Sequence, residues 1–371
     1  MASSSSIPLV DLAANHRQVA DAIAQGFARV LERTAFIGGA EVAEFEQAFA
    51  AFSGVRHCVG VANGTDALEL ALRALGIGVG DEVILPTNSF VATALAVVRT
   101  GATPVLVDCD PDYALIDPDQ VAAKIGPRTK AIMPVHLFGQ VAPMEALGTI
   151  VQRAGVPLVE DAAQAQGARR HGRTAGVFGA AAGTSFYPGK NLGAYGDAGA
   201  VLTNADALAT KIRALRNYGS DVKYSHPETG FNSRLDTLQA VVLSAKLEHL
   251  AAWNTARRAA AARYDELLAD VDGVRGPATL AGNEHVWHLY VVRVAHRDDV
   301  VARLNAAGIG AGIHYPAPIH ALGAFRHLGH GPGTFPTAER LAREILSLPL
   351  FPEITPAQQE QVVAELRRAL G

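Results

Sequence analysis

One lysine, Lys190, lies in a loop rich in glycine and proline. In Gly183-Thr184-Ser185-Phe186-Tyr187-Pro188-Gly189-Lys190-Asn191-Leu192-Gly193-Ala194-Tyr195-Gly196-Asp197-Ala198-Gly199, a strand-like run delivers it to a segment that neither helix nor sheet can cover. A lysine brought to a largely buried site gives up its proton more easily, and the neutral amine condenses with aldehydes. A lone loop lysine is more often a solvated cation, so its companions decide. The segment Val159-Glu160-Asp161-Ala162-Ala163-Gln164, which places Asp161 29 residues before Lys190, ends an apolar run on a carboxylate with an amide three residues on. An ionised Asp161 can hold a proton on a pyridine nitrogen, and Gln164 can donate to an oxygen on the same ring; an aspartate at a strand end is also an ordinary helix cap. Earlier, Ala62-Asn63-Gly64-Thr65-Asp66-Ala67-Leu68 reads as a strand turning through small residues into a helix. The N–H groups of Gly64 and Thr65, the Thr65 hydroxyl and the helix dipole would cradle a phosphate. A capped helix without a ligand has the same signature. What favours the chemical reading is joint occurrence at successive strand ends of a phosphate turn, Asp161, and a lysine beside Ser185.

Strands are needed to hold these groups. Short β-branched runs at 58–61, 82–85, 104–107, 131–135, 157–160, 184–187 and 200–203 alternate with Ala/Leu-rich stretches. Most are apolar on successive residues, as in strands buried on both faces, and the spacing predicts an α/β fold with a parallel sheet and crossover helices. Residues 65–75 and 89–99 carry apolar groups at helical spacing, with stop signals at Gly76 and Thr100-Gly101. After residue 206 come helical stretches at 234–250 and 254–268, a strand-like 287–294 and a helix-like 298–307. This predicts a smaller C-terminal α/β domain beginning between 250 and 275. We divide the chain at 1–250, a large domain with an N-terminal arm, and 251–371.

Composition narrows the function classes. Hydrophobic residues make up 49% and charged residues 18%, which excludes intrinsic disorder. Lys+Arg 32 against Asp+Glu 36 leaves a formal charge of −4, so nucleic acid and membrane are not expected partners. Cys58 and Cys109 stand alone, which argues against a disulfide framework or a cysteine-rich metal site. His320, His327 and His330 read as polar loop residues; they lack the Glu or Cys spacing of a zinc site, and no metal is expected. The start lacks the cationic and long apolar regions of a signal peptide, and its serine run reads as a frayed terminus. The longest apolar run, 90–98, stops at Arg99, so a soluble cytoplasmic protein is expected. No Gly-x-Gly-x-x-Gly turn follows the first strand, which argues against a dinucleotide-binding enzyme.

Taken in order along the chain, the segments resemble the DegT/DnrJ/EryC1/StrS family of pyridoxal-phosphate-dependent sugar aminotransferases. The likeness covers Phe36-Ile37-Gly38-Gly39, Asn63-Gly64-Thr65-Asp66-Ala67-Leu68, Gly80-Asp81-Glu82-Val83-Ile84, Pro134-Val135-His136-Leu137-Phe138-Gly139, Glu160-Asp161-Ala162-Ala163-Gln164, the lysine loop, and Asn232-Ser233-Arg234-Leu235-Asp236-Thr237-Leu238-Gln239. It implies fold type I of the aspartate aminotransferase superfamily, with a mostly parallel seven-stranded sheet in the large domain. Under the resemblance, Lys190 bears the cofactor and shuttles the substrate proton, and Asp161 keeps the ring nitrogen protonated. Gly64, Thr65 and Ser185 hold the phosphate, Gln164 the ring hydroxyl, and Phe90 stacks on the ring. Asn232 reaches the phosphate of a neighbouring subunit, which makes a homodimer part of the site. Tyr187, Lys223, His314 and Tyr315 are the implied sugar-nucleotide contacts.

The resemblance further implies ping-pong transamination from L-glutamate to a nucleotide-linked keto-deoxysugar, in deoxyaminosugar biosynthesis for an antibiotic or a surface glycan. Members acting at sugar C4 tend to carry a Thr-Thr-Gly-Glu-Gly-Gly run after the lysine. Here the loop reads Asn191-Leu192-Gly193-Ala194-Tyr195-Gly196-Asp197-Ala198-Gly199, similar to the branch that aminates C3 of dTDP-3-keto-6-deoxyhexoses, with Ala198 in place of the usual glycine. The alternatives are a 4-keto-sugar or inositol-type ketone aminotransferase, and a cofactor-binding regulator without turnover. A dehydratase branch carries histidine at the lysine position, and Lys190 argues against it.

Overall fold

The computed structural model describes residues 6–371; the serine run, apart from Ser6, lies outside them. Among the described residues the large sheet takes strands β1 (His57–Val61), β2 (Glu82–Pro86), β3 (Thr103–Val107), β4 (Thr129–Ile132), β5 (Val159–Asp161), β8 (Ala181–Ser185) and β9 (Gly199–Thr203). Between β5 and β8 lies a small hairpin of β6 (Arg169–Arg170) and β7 (Arg173–Thr174). Two ladders, β1-β9-β8-β5 and β3-β2-β4, join where Ile132 bridges Leu158 and Val135 bridges Asp161, so the sheet order is β1-β9-β8-β5-β4-β2-β3. Six strands run one way. β9 is antiparallel to both of its neighbours, with Ser185 opposite Gly199. The expected mostly parallel seven-stranded sheet is present, and its strands are buried on nearly every residue, as the unbroken apolar runs require.

Helices cover both faces. They are α1 (Leu12–Arg33), α2 (Ala40–Ser53), α3 (Gly64–Ala74), α4 (Val91–Thr100), α5 (Pro118–Lys124), α6 (Met144–Ala154), α7 (Asp206–Leu215) and α8 (Thr237–Leu268). Local chemistry sets their ends: the Asn63 side chain caps α3 by accepting from the Asp66 N–H at 2.8 Å, and Gly101 and Gly155 end α4 and α6 in left-handed backbone.

Two sequence expectations are corrected. The run expected at 184–187 is a strand at Ala181–Ser185, whose Ala-Ala-Gly-Thr-Ser sequence carries no β signal because α3 packs on it: a Cβ on Gly183 would lie 2.7 Å from Leu68 Cδ2. The helical stretches at 234–250 and 254–268 are one 32-residue helix, α8, whose polar Asn254 is buried and hydrogen-bonded.

Beyond α8 a second sheet, β10 (Val274–Arg275), β12 (Tyr290–Val294) and β13 (Ile345–Leu348) in the order β10-β12-β13, packs with α9 (Arg297–Ala306) and α11 (Pro356–Leu370). β11 (Asn283–Glu284) pairs with β6 of the large lobe, and α10 (Pro336–Glu344) leads into β13. The core of this lobe takes in Tyr264 and Leu268 of α8, and also Ile7, which bonds to Gly308 and Gly310 through its backbone. Among the described residues no helix is long and apolar enough to cross a membrane.

Candidate active site

The carboxyl ends of the six co-directional strands share one edge, and the groups singled out in the sequence gather there. After β1, the turn into α3 leaves the N–H groups of Gly64 and Thr65 without acceptors among the described residues. It is thus both a capped helix and an open anion cradle. Gly64 abuts the end of β8, where a Cβ would fall 2.5 Å from Ser185 Cβ and 3.1 Å from Ser185 Oγ. Ser185 therefore stands beside the free N–H groups. The Asp66 carboxylate in this turn is occupied by Arg99 (3.0 Å) and by the Ser233 hydroxyl (2.8 Å), which limits its repulsion of an anion.

At the end of β5, Asp161 is 4% exposed. Its Oδ2 accepts from Thr93 Oγ1 of α4 at 2.8 Å, and its Oδ1 accepts from the Ala163 N–H at 3.1 Å. Burial pushes its pKa up, against the pull of Thr93, Ala163, Lys190 and His136. Both hydrogen-bond partners are neutral, so the pocket holds a carboxylate in want of a cation. Gln164 is fixed from behind: its Oε1 accepts from the Phe138 N–H at 2.6 Å, and its Nε2 donates to Tyr315 Oη at 3.1 Å. Phe90, at the start of α4, is 51% exposed despite its apolarity, with its ring 5.2 Å from that of Tyr315. An exposed aromatic face beside a buried acid is a surface suited to a flat ring.

Lys190 sits half-buried at the apex of the loop between β8 and β9. Burial lowers its pKa to about 8, opposed by Asp161. The amine is therefore deprotonated in appreciable fraction near neutrality, as nucleophilic attack on an aldehyde requires. Two histidines share its surroundings. His314 has its pKa lowered to about 4, by burial and then by Lys190, and its Nδ1 pairs with Ser347 Oγ at 2.8 Å. His288, which sequence reasoning passed over, is buried and held well below the ordinary histidine range by burial and then by Lys190. Asn191 Nδ2 already donates to Asn254 Oδ1 and Val286 O, so Asn191 Oδ1 accepts from His288 Nδ1 at 3.3 Å. That fixes His288 as the neutral Nδ1–H tautomer.

Glu160, beside Asp161 on β5, has a structural task. Fully buried, it points away from Asp161, accepts backbone N–H bonds from Gly176, Phe178 and Gly179, each at 2.7 Å, and accepts from His136 Nε2 at 2.8 Å. It ties down the segment between β7 and β8. His320, expected as a polar loop residue, is buried between Thr87 Oγ1 (2.9 Å) and Glu339 (3.2 Å). Among the described residues no three His, Cys, Asp or Glu side chains form a metal-binding group.

Residues 17–367 match the DegT/DnrJ/EryC1/StrS aminotransferase family. The chain belongs to that family. A DegT/DnrJ/EryC1/StrS relative 48% identical over 361 residues, 97% of this chain and 99% of its own length, is the erythromycin biosynthesis sensory transduction protein EryC1 of Saccharopolyspora erythraea. Another, 46% identical over 361 residues and covering 97% of this chain and 95% of its own, is the dTDP-3-amino-3,4,6-trideoxy-alpha-D-glucose transaminase of Streptomyces venezuelae. The crystal structure of S. venezuelae DesV in complex with a ketimine intermediate superposes with a TM-score of 0.96 at 46% identity over 98% of each chain. The cofactor of DegT/DnrJ/EryC1/StrS aminotransferases is pyridoxal phosphate, and a solved relative at 31% identity holds it in the amine form. The residues fit that group: among the described residues no cation is hydrogen-bonded to Asp161, where a protonated ring nitrogen would serve, and Lys190, the free N–H groups and Ser185 lie at the same edge of the sheet.

The remaining candidates divide. Tyr187 is 59% exposed at the start of the lysine loop, and its N–H donates to Ser185 Oγ at 3.3 Å. Tyr315 and His314 join the same group, Tyr315 through its hydrogen bond from Gln164 and His314 through its electrostatic reach to Lys190. Asn232 and Lys223 instead lie on the outer segment that follows α7, both exposed, with Lys223 Nζ over the Tyr224 ring.

Proposed function

We propose that this chain moves an amino group from L-glutamate to the C3 keto group of a dTDP-linked 6-deoxyhexose, within deoxyaminosugar biosynthesis. The observation that carries the reading is that Lys190, in the loop after β8, and the buried Asp161, at the end of the neighbouring β5, lie within electrostatic reach of each other at one edge of the sheet. The likeness to a C3-type transaminase along nearly the whole chain supports the choice of ketone. Pyridoxal phosphate, when bound, supplies the aldehyde and the electron-withdrawing ring over which amino groups are exchanged.

Each residue then has a task. Asp161 Oδ2 holds the ring nitrogen's proton, with Thr93 and Ala163 supporting its negative charge. Gln164 Nε2 donates to the ring hydroxyl, and Phe90 covers one face of the ring. The N–H groups of Gly64 and Thr65, with Ser185 Oγ, hold the phosphate, joined by Asn232 of a second subunit. Lys190 Nζ would move a proton between the substrate carbon and the carbon of the cofactor's aldehyde group, one way in each half-reaction; a pKa near 8 suits both directions. Tyr187, Tyr315, His314 and a neighbour's Lys223 bind the sugar nucleotide. His314 is neutral at working pH, so it contributes a hydrogen bond and not a charge.

A homodimer is supported by the apolar groups left in water, Phe36 and Ile37 in the Phe36–Gly39 motif, Val222 and Tyr224 on the outer segment that carries Lys223 and Asn232, and Leu31 near the end of α1. The two units, 1–250 and 251–371, share α8 as a common spine.

Product NMR after incubation with glutamate and paired 3-keto and 4-keto dTDP sugars tests the reading: an amine at C3 supports it, and an amine at C4 alone overturns the position. One relative's name as a sensory protein keeps a regulator without turnover as the second reading. Single-turnover loss of the absorbance of the lysine-bound cofactor on adding glutamate separates the two.

A further inference from the structure

Helix α8 sends three polar side chains to the loop that carries Lys190. Gln239, Lys246 and Asn254 are spaced so that, at 3.6 residues per turn, they share one stripe of the helix. Gln239 Oε1 accepts from the Tyr195 N–H at 2.8 Å, Lys246 Nζ donates to Gly193 O at 2.7 Å, and Asn254 Oδ1 accepts from Asn191 Nδ2 at 2.9 Å. The loop is gripped on alternate residues immediately after Lys190. Asn254 also donates to Gln166 O, and Gln166 Nε2 donates to Ser185 O, so the same stripe reaches the phosphate side of the site.

Lys246 is the unexpected member. It is 3% exposed, and among the described residues the groups that compensate its charge are a carbonyl and the face of the Tyr195 ring, whose centroid is 4.6 Å from Nζ. A buried cation without a carboxylate is costly, and methionine would occupy a similar volume without that cost. The loop explains what the cation holds. A Cβ on Gly193 would fall 2.2 Å from Pro188 O, so the chain doubles back on itself. The Ala194 N–H donates to Phe186 O at 2.7 Å to close the fold, with Lys190 at its apex. Lys246 fastens the carbonyl of the closing peptide.

We propose that Lys246, assisted by Gln239 and Asn254, is a positioning residue for Lys190: by fixing the Gly193–Ala194 peptide it sets the direction in which the loop presents the lysine amine to Asp161. The proposal rests on Lys190 being the cofactor-bearing lysine. Its test compares holoenzymes of the wild type, Lys246→Met, Lys246→Arg and Gln239→Met. Three quantities are read: the pH titration of the lysine-bound cofactor's absorbance, the rate of borohydride trapping with peptide mapping of the labelled lysine, and kcat and KM with glutamate. In Lys246→Met the spectral pKa moves by about half a unit or more. Trapping at Lys190 slows, and kcat falls roughly 10- to 100-fold with KM nearly unchanged. Lys246→Arg, able to donate to the same carbonyl, recovers most of the loss, and Gln239→Met shifts the same quantities less. Wild-type titration and trapping in Lys246→Met overturn the proposal; if that variant does not fold, wild-type behaviour of Gln239→Met does so. Label on a lysine other than Lys190 in the wild type instead overturns the underlying site.

Discussion

Replacing Thr93 by valine tests the acid at the bottom of the pocket without opening a cavity, because the two side chains have nearly the same shape. The substitution removes the hydroxyl that donates to Asp161 Oδ2 at 2.8 Å and strands Ser89 Oγ, which is 2.7 Å from Thr93 Oγ1. The apo protein should tolerate this better, since burial already favours the neutral acid at Asp161. The holoenzyme should tolerate it less, because Asp161 must be ionised to face a protonated ring nitrogen. The cost therefore falls on cofactor binding. A hydrogen bond to a charged group contributes about 1.5–3 kcal/mol, and 1.36 kcal/mol is a factor of ten, so the dissociation constant for pyridoxal phosphate is expected to rise roughly 10- to 100-fold. A carboxyl with a raised pKa holds its proton to higher pH, so the acid limb of the pH–rate profile moves upward. Fluorescence titration of apo protein with cofactor measures the first effect and initial rates against pH the second. Thr93→Ser, which keeps the donor, stays near wild type. Unchanged cofactor affinity in Thr93→Val would refute the role given to Asp161.

Other consequences follow from the same geometry. Lys190→Met should raise the melting temperature of the apo protein at pH 7 by roughly 1–3 °C. The folded lysine loses its proton near pH 8 and the unfolded one near 10.5, so the burial penalty is full below pH 8 and fades as pH rises to 10.5, and scanning calorimetry should show the gap closing over that window. Glu160→Gln replaces one acceptor oxygen with an NH2 group that faces backbone or histidine donors and leaves two buried donors unpaired, for a loss of about 2–5 kcal/mol in urea unfolding; a change below 1 kcal/mol would contradict the network. Mixing Lys190→Ala with Asn232→Ala subunits should restore activity above either parent, because one site of each mixed dimer then has Lys190 and a neighbour's Asn232. No recovery on subunit exchange would place Asn232 outside a shared site.

The groups that the sequence makes legible are those whose chemistry is written within a few residues: Lys190 in its Gly/Pro loop, Asp161 and Gln164 on one strand end, Gly64 at a capped turn. The sheet was legible for a related reason, since strands covered on both faces must be apolar without interruption. What escaped depends on contacts between distant parts of the chain. Thr93 meets Asp161 across 68 residues, Asn254 meets Asn191 across 63 and Lys246 meets Gly193 across 53, and nothing local marks a threonine, an asparagine or a lysine in a helix as part of a site. His288 looked like one more residue of an apolar strand until its Nδ1 found Asn191. An asparagine in a helix interior is disfavoured unless its amide is bonded elsewhere, and the bonds that let α8 run through Asn254 come from Asn191 and Gln166, far away in sequence.

The single reversed strand bears on how such enzymes diversify. Because β9 runs against β8, the lysine loop is a hairpin excursion with both feet locked at the Ser185–Gly199 pair, whereas the loops after β1, β2 and β4 lead into crossover helices or long connections. A duplicated copy of this gene can lengthen, shorten or exchange those connections and so meet a new ketone while the amine that does the chemistry stays in register. Substrate range and reactivity are thereby separable under selection, and grafting the outer loops of a relative is the engineering route that this arrangement leaves open.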